Sequence, residues 1–264
     1  MNNPKVKISA VIIAFNEMGY IEKCIESVEF ADEIIVVDSY STDGTYEYLH
    51  AHSKVRVIQH PFANFTSQKS FALNQASNDW VLFLDADEVV PSKLKSEIKA
   101  TVEGNTDFSA FWFYRKFMFQ KSPLHFSGWQ TDKNYRLFRK SKARFSDKKI
   151  VHETLNVSGK SGILKEKLTH YCYKSFDDYK SKMLKYGRLK AKEDFYREKR
   201  FNLLSLIFKP TWKFFNHFVL RLGFLDGKKG VTISYLNALS DLERYRELKK
   251  LEKKNELAYY LVMP

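Results

Sequence analysis

The stretch Trp80-Val81-Leu82-Phe83-Leu84-Asp85-Ala86-Asp87-Glu88 runs from five apolar residues directly into a cluster of three carboxylates. A short apolar run without alternation is typical of a strand buried on both faces, and the abrupt polar end marks where it stops. We therefore predict a strand over Trp80–Leu84. Asp85 and Asp87 emerge at its carboxyl end on either side of the small residue Ala86, where the two carboxylates can divide one task between them.

Similar strands and amphipathic helices alternate on the amino-terminal side of this stretch. We predict strands over Ile8–Phe15, Glu33–Val37 and Val55–Gln59, and helices over Tyr20–Glu29, Tyr46–His50 and Ser67–Gln75. This alternation predicts an α/β fold, a Rossmann-like, mostly parallel sheet with helices on both faces. Ligands of such sheets gather beyond the carboxyl ends of the strands. Three polar clusters follow strands there: Asn16-Glu17, Asp38 to Asp43, and Asp85 to Glu88.

The pattern changes beyond a further predicted helix, Lys93–Val102. We predict strands over Phe108–Phe119, Tyr135–Arg139 and Ile163–His170, and we interpret the aromatic residues of the first of these mainly as core. From Phe176 onward the segments are basic and amphipathic, with one weak strand pattern at Val231–Ile233. The sequence therefore predicts a catalytic domain over residues 1–174 and a basic α-helical region over residues 175–264.

The composition limits the class of protein. The 264 residues carry a formal net charge of +13, which indicates a polyanionic neighbour such as nucleic acid, a phosphorylated ligand or an anionic membrane surface. Residues 175–264 hold 20 Lys and Arg against 11 Asp and Glu. Cys24 and Cys172 have no partner at metal or disulfide-framework spacing, which favours a reducing compartment. No uncharged apolar run is long enough to cross a bilayer, so we predict no membrane span.

The Asp85-Ala86-Asp87 triplet is the clearest candidate for chemistry. One carboxylate can accept hydrogen bonds from a sugar while the other binds a hard cation. A structural role is also open, since Asp87 can cap the helix that begins near Pro91-Ser92.

Three motifs in order carry a resemblance to a known family: Ser9 to Glu17, Val36 to Thr45, and Leu82 to Glu88. Together they resemble the nucleotide-sugar half of family 2 glycosyltransferases, which have the GT-A fold. Tyr135 to Arg139 and Val151-His152-Glu153 extend the likeness over about the first 170 residues. The subgroup that it resembles is the β-1,4-glucosyltransferases of lipopolysaccharide core assembly.

The resemblance implies inverting transfer of a hexose, glucose in that subgroup, from a UDP-sugar. By similarity, the residues that bind the nucleotide sugar are Ala14, Phe15, Glu17, Asp38, Lys69, Asp85, Ala86 and Asp87. Asp87 would bind Mg²⁺ or Mn²⁺, and His152 is a candidate second ligand or a structural histidine. Many relatives have two adjacent acids where this chain has Asp38-Ser39, so the base-reading role of Asp38 is open. The Q-x-x-R-W pattern of processive synthases is absent, which favours transfer of a single sugar.

Proton removal from an acceptor hydroxyl requires a base on the acceptor side. Glu153 is the first candidate because its His-Glu pair recurs among related transferases. Asp132 is the second and Asp147 the third. Trp129, in the loop before Asp132, is a candidate platform for a sugar ring.

The basic carboxyl-terminal region allows two interpretations. Its apolar residues between Leu203 and Leu222 can lie in a membrane interface or pack on the protein itself. If the acceptor is a lipid-linked, anionic core saccharide, the basic region would hold the enzyme peripherally on the cytoplasmic face of the inner membrane and attract the acceptor.

Two other classes compete. A glycoside hydrolase could use Asp85 and Glu153 as its carboxylate pair, but it would need neither a metal nor Asp38. A nucleic-acid-binding protein would explain the charge, but no recognised nucleic-acid motif is present, and we predict no nucleic-acid partner.

Overall fold

The computed structural model describes residues 6–262, apart from 105, 120–121, 130, 147–154 and 174, with the side chains of 173 and 256–262 also left out. The chain forms two compact units. The sheet unit comprises residues up to Lys116 and from Thr131 to Tyr171. The helical unit comprises residues 117–130 and those from Cys172 onward.

The strands fall close to the predicted positions. They are β1 (Ile8–Ala14), β2 (Glu33–Asp38), β3 (Val55–Gln59), β4 (Trp80–Asp85), β5 (Glu88–Val89), β6 (Phe108–Phe119), β7 (Ser122–Pro123), β8 (Lys133–Arg139), β9 (Ala143–Phe145), β10 (Leu155–Val157), β11 (Lys160–Ile163) and β12 (Leu168–Tyr173). The predicted strand over Ile163–His170 is wrong in extent, since β11 and β12 are separate. Between them, the backbone N–H groups of Lys165 and Glu166 donate to the Glu97 carboxylate.

The helices are also close to the prediction in the first half of the chain. They are α1 (Ile21–Val28), α2 (Thr45–Ala51), α3 (Phe65–Asn74), α4 (Ser92–Glu103), α5 (Phe176–Tyr196), α6 (Leu203–Phe215) and α7 (Lys228–Val262). The weak strand pattern at Val231–Ile233 is a wrong prediction, because these residues lie in α7. Ile233 and Leu236 form part of the buried side of that helix, and this packing overrides the strand preference of β-branched residues.

The sheet begins with four parallel strands in the order β3-β2-β1-β4. Two antiparallel strands follow, β8 beside β4 and β6 beside β8. Residues of β1 alternate between two cores: Ala10 and Ile12 pack in the cluster that contains α1 and α4, whereas Val11 packs with Leu73 of α3. The predicted α/β fold with helices on both faces of the sheet is therefore confirmed, and the apolar runs reflect burial on both faces.

The helical unit is built from α5, α6 and α7. Its core includes Tyr179 of α5, which is fully buried, and the Tyr179 hydroxyl accepts a hydrogen bond of 2.8 Å from Asn237 of α7. Gly187 lets the two helices approach closely, because a Cβ at this position would lie 2.5 Å from the Ser240 carbonyl oxygen. Within the part of the chain that the structure describes, no helix is long and apolar enough to span a membrane.

Candidate active site

The three polar clusters predicted from the sequence lie together at one edge of the sheet. Ala14 at the end of β1 pairs with Asp38 of β2, and Ile13 pairs with Asp85 of β4, so the three strands end side by side. Hydrogen bonds connect the first cluster to the loop after β2. Thr42 N donates to Asn16 Oδ1 at 2.8 Å, and Glu17 N donates to the Thr45 hydroxyl at 2.9 Å. This edge is where ligands of parallel sheets bind.

The two candidates that end β1 differ in exposure. Ala14 is buried, whereas Phe15 is 56% exposed. Asn16 follows with φ of 56°, a left-handed conformation that turns the chain directly after the strand. The Phe15 ring is therefore available to a flat ligand such as a nucleobase.

Asp38 is fully buried at the end of β2. Its Oδ2 accepts a hydrogen bond of 3.0 Å from Ser41 N, and its Oδ1 accepts one of 2.5 Å from the Ser41 hydroxyl. Both carboxylate oxygens thus hold the loop that follows β2. Asp38 therefore stabilises the loop at the carboxyl end of β2.

Asp85 at the end of β4 is held by two cations. Arg136 of β8 donates to its Oδ2 at 2.5 Å, and Lys69 Nζ of α3 lies 3.5 Å from its Oδ1. Burial alone would raise the pKa of the Asp85 carboxyl, but Arg136 and Lys69 together hold this pKa well below its usual range. Asp85 is therefore an ionised hydrogen-bond acceptor at any physiological pH.

A buried glutamate extends this arrangement into a network. Glu88 is fully buried, and its Oε2 accepts a hydrogen bond of 3.1 Å from Asp85 N, which fixes the turn through Ala86 and Asp87. Its Oε1 accepts a hydrogen bond of 2.6 Å from Arg136 and lies 3.5 Å from Arg115. A carboxylate buried without cations would be very costly, so the two arginines make its burial possible.

Arg115 connects the network to the candidate base Asp132. Its Nε lies 2.6 Å and its second terminal nitrogen 2.5 Å from the same oxygen, Asp132 Oδ2. Chains of alternating charge therefore run from Asp85 through Arg136, Glu88 and Arg115 to Asp132. The other two base candidates, Glu153 and Asp147, lie outside the described residues, as does His152.

Asp87 points to a different partner. Its Oδ2 lies 3.2 Å from Nε2 of His170, which is in β12 where that strand pairs with β5. No group of three or more His, Cys, Asp and Glu side chains is placed to hold a metal ion among the residues that the structure describes. Asp87 and His170 nevertheless form a carboxylate–imidazole pair, and proteins commonly bind catalytic divalent ions through one or two side chains together with substrate phosphates.

The structure also locates other residues that the sequence analysis named. Phe111 and Phe113 are buried, which confirms their interpretation as core residues. Trp129 belongs to the helical unit and packs against Phe117 with ring centroids 4.5 Å apart. Cys24 is buried beside the strand ends, and burial together with the carboxylates of Glu88 and Asp87 raises the pKa of its thiol well above the usual value.

A comparison with protein-family sequence profiles matches residues 9–168 to glycosyl transferase family 2. The chain belongs to this family. The resemblance of the strand-end motifs is thereby confirmed, and so is the prediction that the protein is a glycosyltransferase.

Several relatives match the transferase over nearly all its length. It is 31% identical to the lipopolysaccharide core biosynthesis glycosyltransferase LpsC of Rhizobium meliloti (strain 1021), covering 92% of this chain and 94% of LpsC. It is 30% identical to an uncharacterized glycosyltransferase of Rickettsia felis, covering 96% and 93% of the two chains. Among solved structures, S. aureus TarS 1-349 in complex with UDP matches with a TM-score of 0.49 and 16% identity, covering 95% of the transferase and 92% of that chain.

Three residues of this site were not singled out from the sequence: Arg115, Arg136 and His170. Arg136 stood in the quoted motif Tyr135 to Arg139 without a role. An arginine between Tyr135 and Leu137 in a predicted strand was a usable signal, because a buried guanidinium needs carboxylate partners. Arg115, inside the predicted strand Phe108–Phe119, carried the same signal, whereas His170 carried none, since its partner is 83 positions away.

Proposed function

We propose that the transferase moves a single hexose, most specifically glucose, from a UDP-sugar to a lipopolysaccharide or lipooligosaccharide core acceptor with inversion at the anomeric carbon. The observation that carries this proposal is the pairing of two differently held carboxylates at the end of β4. Asp85 is kept ionised by Arg136 and Lys69, and Asp87 lies beside His170. Glucose and inversion are taken from the subgroup that the motifs resemble.

The edge of the sheet can bind a nucleotide sugar with the residues that the structure gathers there. The exposed Phe15 ring offers a face for the base, Asp38 holds the loop after β2, and the Glu17 N–H donates to the Thr45 hydroxyl. Asp85 presents an anionic oxygen to the hydroxyls of the ribose or the hexose. Lys69 and Arg136 offset the charge of Asp85, so a diphosphate can approach without facing a bare carboxylate.

Asp87 and His170 would hold the divalent ion, Mn²⁺ or Mg²⁺, together with the donor diphosphate. Such an ion would supply positive charge to a leaving diphosphate. The donor set fits, because one carboxylate and one imidazole leave the remaining positions to phosphate oxygens and water. Asp85 is already engaged by two cations and is better suited to the sugar. His152, proposed from the sequence as a second ligand, is the alternative to His170.

A carboxylate must accept the proton of the acceptor hydroxyl, and we retain Glu153 and Asp132 as the candidates. Asp132 is joined through Arg115 to the network that holds Asp85. This link holds the Asp132 carboxylate in a fixed position. Glu153 remains the first candidate by similarity.

The name of the relative LpsC supports a core-saccharide acceptor. Such an acceptor is anionic and lipid-linked, which suits the positive charge of residues 175–264. We propose that residues 1–174 carry the chemistry, that residues 175–264 associate with the acceptor and the membrane, and that the protein works peripherally on the cytoplasmic face of the inner membrane.

A donor screen tests the proposal without knowledge of the acceptor, because many transferases slowly transfer the sugar to water. The protein is incubated with UDP-glucose, UDP-galactose or GDP-mannose, in the presence of Mn²⁺ or of EDTA, and released nucleoside diphosphate is measured. We expect release from UDP-glucose that requires the metal. Release from GDP-mannose alone, or release that EDTA does not reduce, would contradict the proposed donor or the proposed metal.

A further inference from the structure

The helical unit exposes a large apolar surface between Leu203 and Leu225. Eleven large apolar side chains in this segment are 38% to 76% exposed: Leu203, Leu204, Ile207, Phe208, Trp212, Phe215, Val219, Leu220, Leu222, Phe224 and Leu225. The segment comprises α6, a π-helical turn over Asn216–Leu220 and a 3₁₀ turn over Gly223–Asp226. Single exposed apolar residues are normal on a protein surface, but a contiguous patch of this extent marks an interaction site.

Helical spacing gathers these side chains into one stripe. Leu204, Phe208, Trp212, Phe215 and Val219 follow one another at intervals of three or four residues, which places them on one face. The Trp212 ring lies 6.4 Å from Phe208 and 5.8 Å from Phe215, centroid to centroid. The apolar face of α6 is therefore continuous and turned away from the core of its own unit.

The 3₁₀ turn after α6, the corner of this surface, is anchored by hydrogen bonds and close packing, so its exposed side chains are kept at the surface. The buried Asp226 carboxylate accepts hydrogen bonds of 2.9 Å from His125 N and Phe126 N. Gly230 also packs against the Gly223 carbonyl so closely that a Cβ would collide with it. Phe224 and Leu225 nevertheless remain about half exposed on this corner. Their exposure is thus built into the fold.

Charge distinguishes the partners that could cover this surface. The segment from Leu203 to Leu225 contains Lys209, Lys213 and Arg221 but no Asp or Glu. Lys213 is 3.3 Å from Asp241, whereas Lys209 is exposed beside the stripe. A second copy of the chain would bring like charges together across a two-fold contact. An anionic lipid surface instead complements both the cations and the apolar stripe.

We propose that the surface between Leu203 and Leu225 embeds in the interface of a bilayer that contains anionic lipids. The 13 residues of α6 span roughly 20 Å, less than the hydrocarbon core, so the helix lies along the surface. Phe, Trp and Leu side chains enter the acyl boundary while Lys209 contacts lipid phosphates. This inference deepens the proposed function and rests on it for the purpose of the contact, which is access to a lipid-linked acceptor.

Vesicle flotation of the whole protein tests the proposal. The vesicles are phosphatidylcholine alone or phosphatidylcholine with a minority of phosphatidylglycerol. We expect binding to the anionic vesicles, and we expect Phe208→Ser with Leu225→Ser to weaken it by about tenfold or more, since each side chain would lose burial in the acyl region. Lys209→Gln should weaken it by about fivefold, the equivalent of about 1 kcal/mol for one cation.

A matched control is Phe62→Ser with Phe65→Ser, which removes two aromatic side chains of the sheet unit that are 48% and 50% exposed. This variant should float like the parent protein. Trp212 gives a second readout, because lipids brominated near the head of the acyl chain should quench its fluorescence. Trp212→Phe should remove that quenching.

The outcomes separate this inference from the proposed function. Failure of the parent protein to bind anionic vesicles, or an equal loss in the Phe62 and Phe65 control, would overturn it. A parent dimer in sedimentation that becomes monomeric in the Phe208 and Leu225 variant, without vesicle binding, would assign the surface to a second copy. Vesicle binding without turnover of any UDP-sugar would leave the inference standing and refute the proposed function.

Discussion

The strand-end edge of the sheet unit and the apolar stripe of the helical unit are built from opposite kinds of side chain. At the carboxyl end of β4, carboxylates are drawn inward and paired with cations, as in the contacts of Arg136 with Asp85 and Glu88. In the helical unit, an apolar stripe between Leu203 and Leu225 faces outward instead. The contrast teaches that the sheet unit holds its strand-end carboxylates in place with buried cations, whereas the helical unit leaves an apolar surface exposed, which we propose contacts a membrane.

If the strand-end carboxylates are chemical groups, Asp87 should give the largest effect. Asp87→Asn keeps the size of the side chain but removes the anionic ligand. We expect metal-dependent release of UDP from the donor to fall by about a thousandfold, because stabilisation of leaving charge is worth several kcal/mol. The control is Asp107→Asn, whose side chain is 78% exposed in the same unit. Full activity of Asp87→Asn would show that Asp87 does not bind the metal.

The two base candidates provide a second test of the sheet unit. Glu153→Gln should lower transfer to an acceptor by roughly a hundredfold or more, the usual range for a general base, and leave donor binding unchanged. Asp132→Asn is the matched variant. Rates with an acceptor and UDP affinities by calorimetry distinguish the two. If only the Asp132 variant collapses, the base is Asp132; if neither does, Asp147 becomes the next candidate.

The buried network should dominate the stability of the sheet unit. Arg136→Met leaves Glu88 and Asp85 without their shared cation, and we expect a loss of about 3 kcal/mol or more in the free energy of unfolding, measured with urea. Arg139→Met on the same strand is the control. Its pair with Asp79 lies at 3.5 Å and is partly exposed, so its loss should cost about 1 kcal/mol or less. An equal loss of unfolding free energy in the two variants would show that the buried network contributes no more than a partly exposed ion pair.

The ion pairs of Asp194 in the helical unit should contribute less to stability, and their contribution should depend on pH. Asp194 is paired with Arg244 and Lys199; burial alone would raise the pKa of its carboxyl, but these partners lower it. A pKa lower in the folded than in the unfolded state adds stability above the unfolded value of about 3.9, which is lost as the pH falls below it.

Asp194→Asn should therefore lower the free energy of unfolding at pH 7. The further drop in this free energy between neutral and acidic pH should be smaller in the variant than in the parent. We expect about 1 kcal/mol at neutral pH, because both cations are partly solvated. Urea unfolding at neutral and acidic pH measures the difference. Glu198→Gln, an exposed position nearby, should show no such change. A variant with the same acid sensitivity as the parent would contradict the role of Asp194.

In the first half of the fold, β1, β2 and β4 could be predicted because they are buried on both faces and therefore mainly apolar. The predicted Val55–Gln59 strand is β3, and the predicted Trp80–Leu84 strand falls one residue short of β4. The break between β11 and β12 could not be predicted, because it depends on Glu97 of a distant helix. The helical conformation of Val231–Ile233 likewise depends on packing within the helical unit.

The candidate site was predictable in its location but not in its pairing. Asp85 and Asp87 were found because they end an apolar strand. Their partners Arg136 and His170 come from strands that are placed by the antiparallel half of the sheet. Contacts between residues so far apart in sequence leave no periodic pattern, so a single sequence carries only the weak signal of an arginine inside a strand.

The buried state of both cysteines has a practical consequence for spectroscopy. Cys24 and Cys172 are inaccessible, and the raised pKa of the Cys24 thiol keeps it protonated and slow to alkylate. A thiol-reactive probe should therefore react very slowly with the two natural cysteines. One cysteine introduced at an exposed position, Leu225→Cys for example, could carry a fluorophore or a spin label without prior removal of the natural thiols. Depth in a lipid layer and motion during turnover then become measurable on the same labelled molecule.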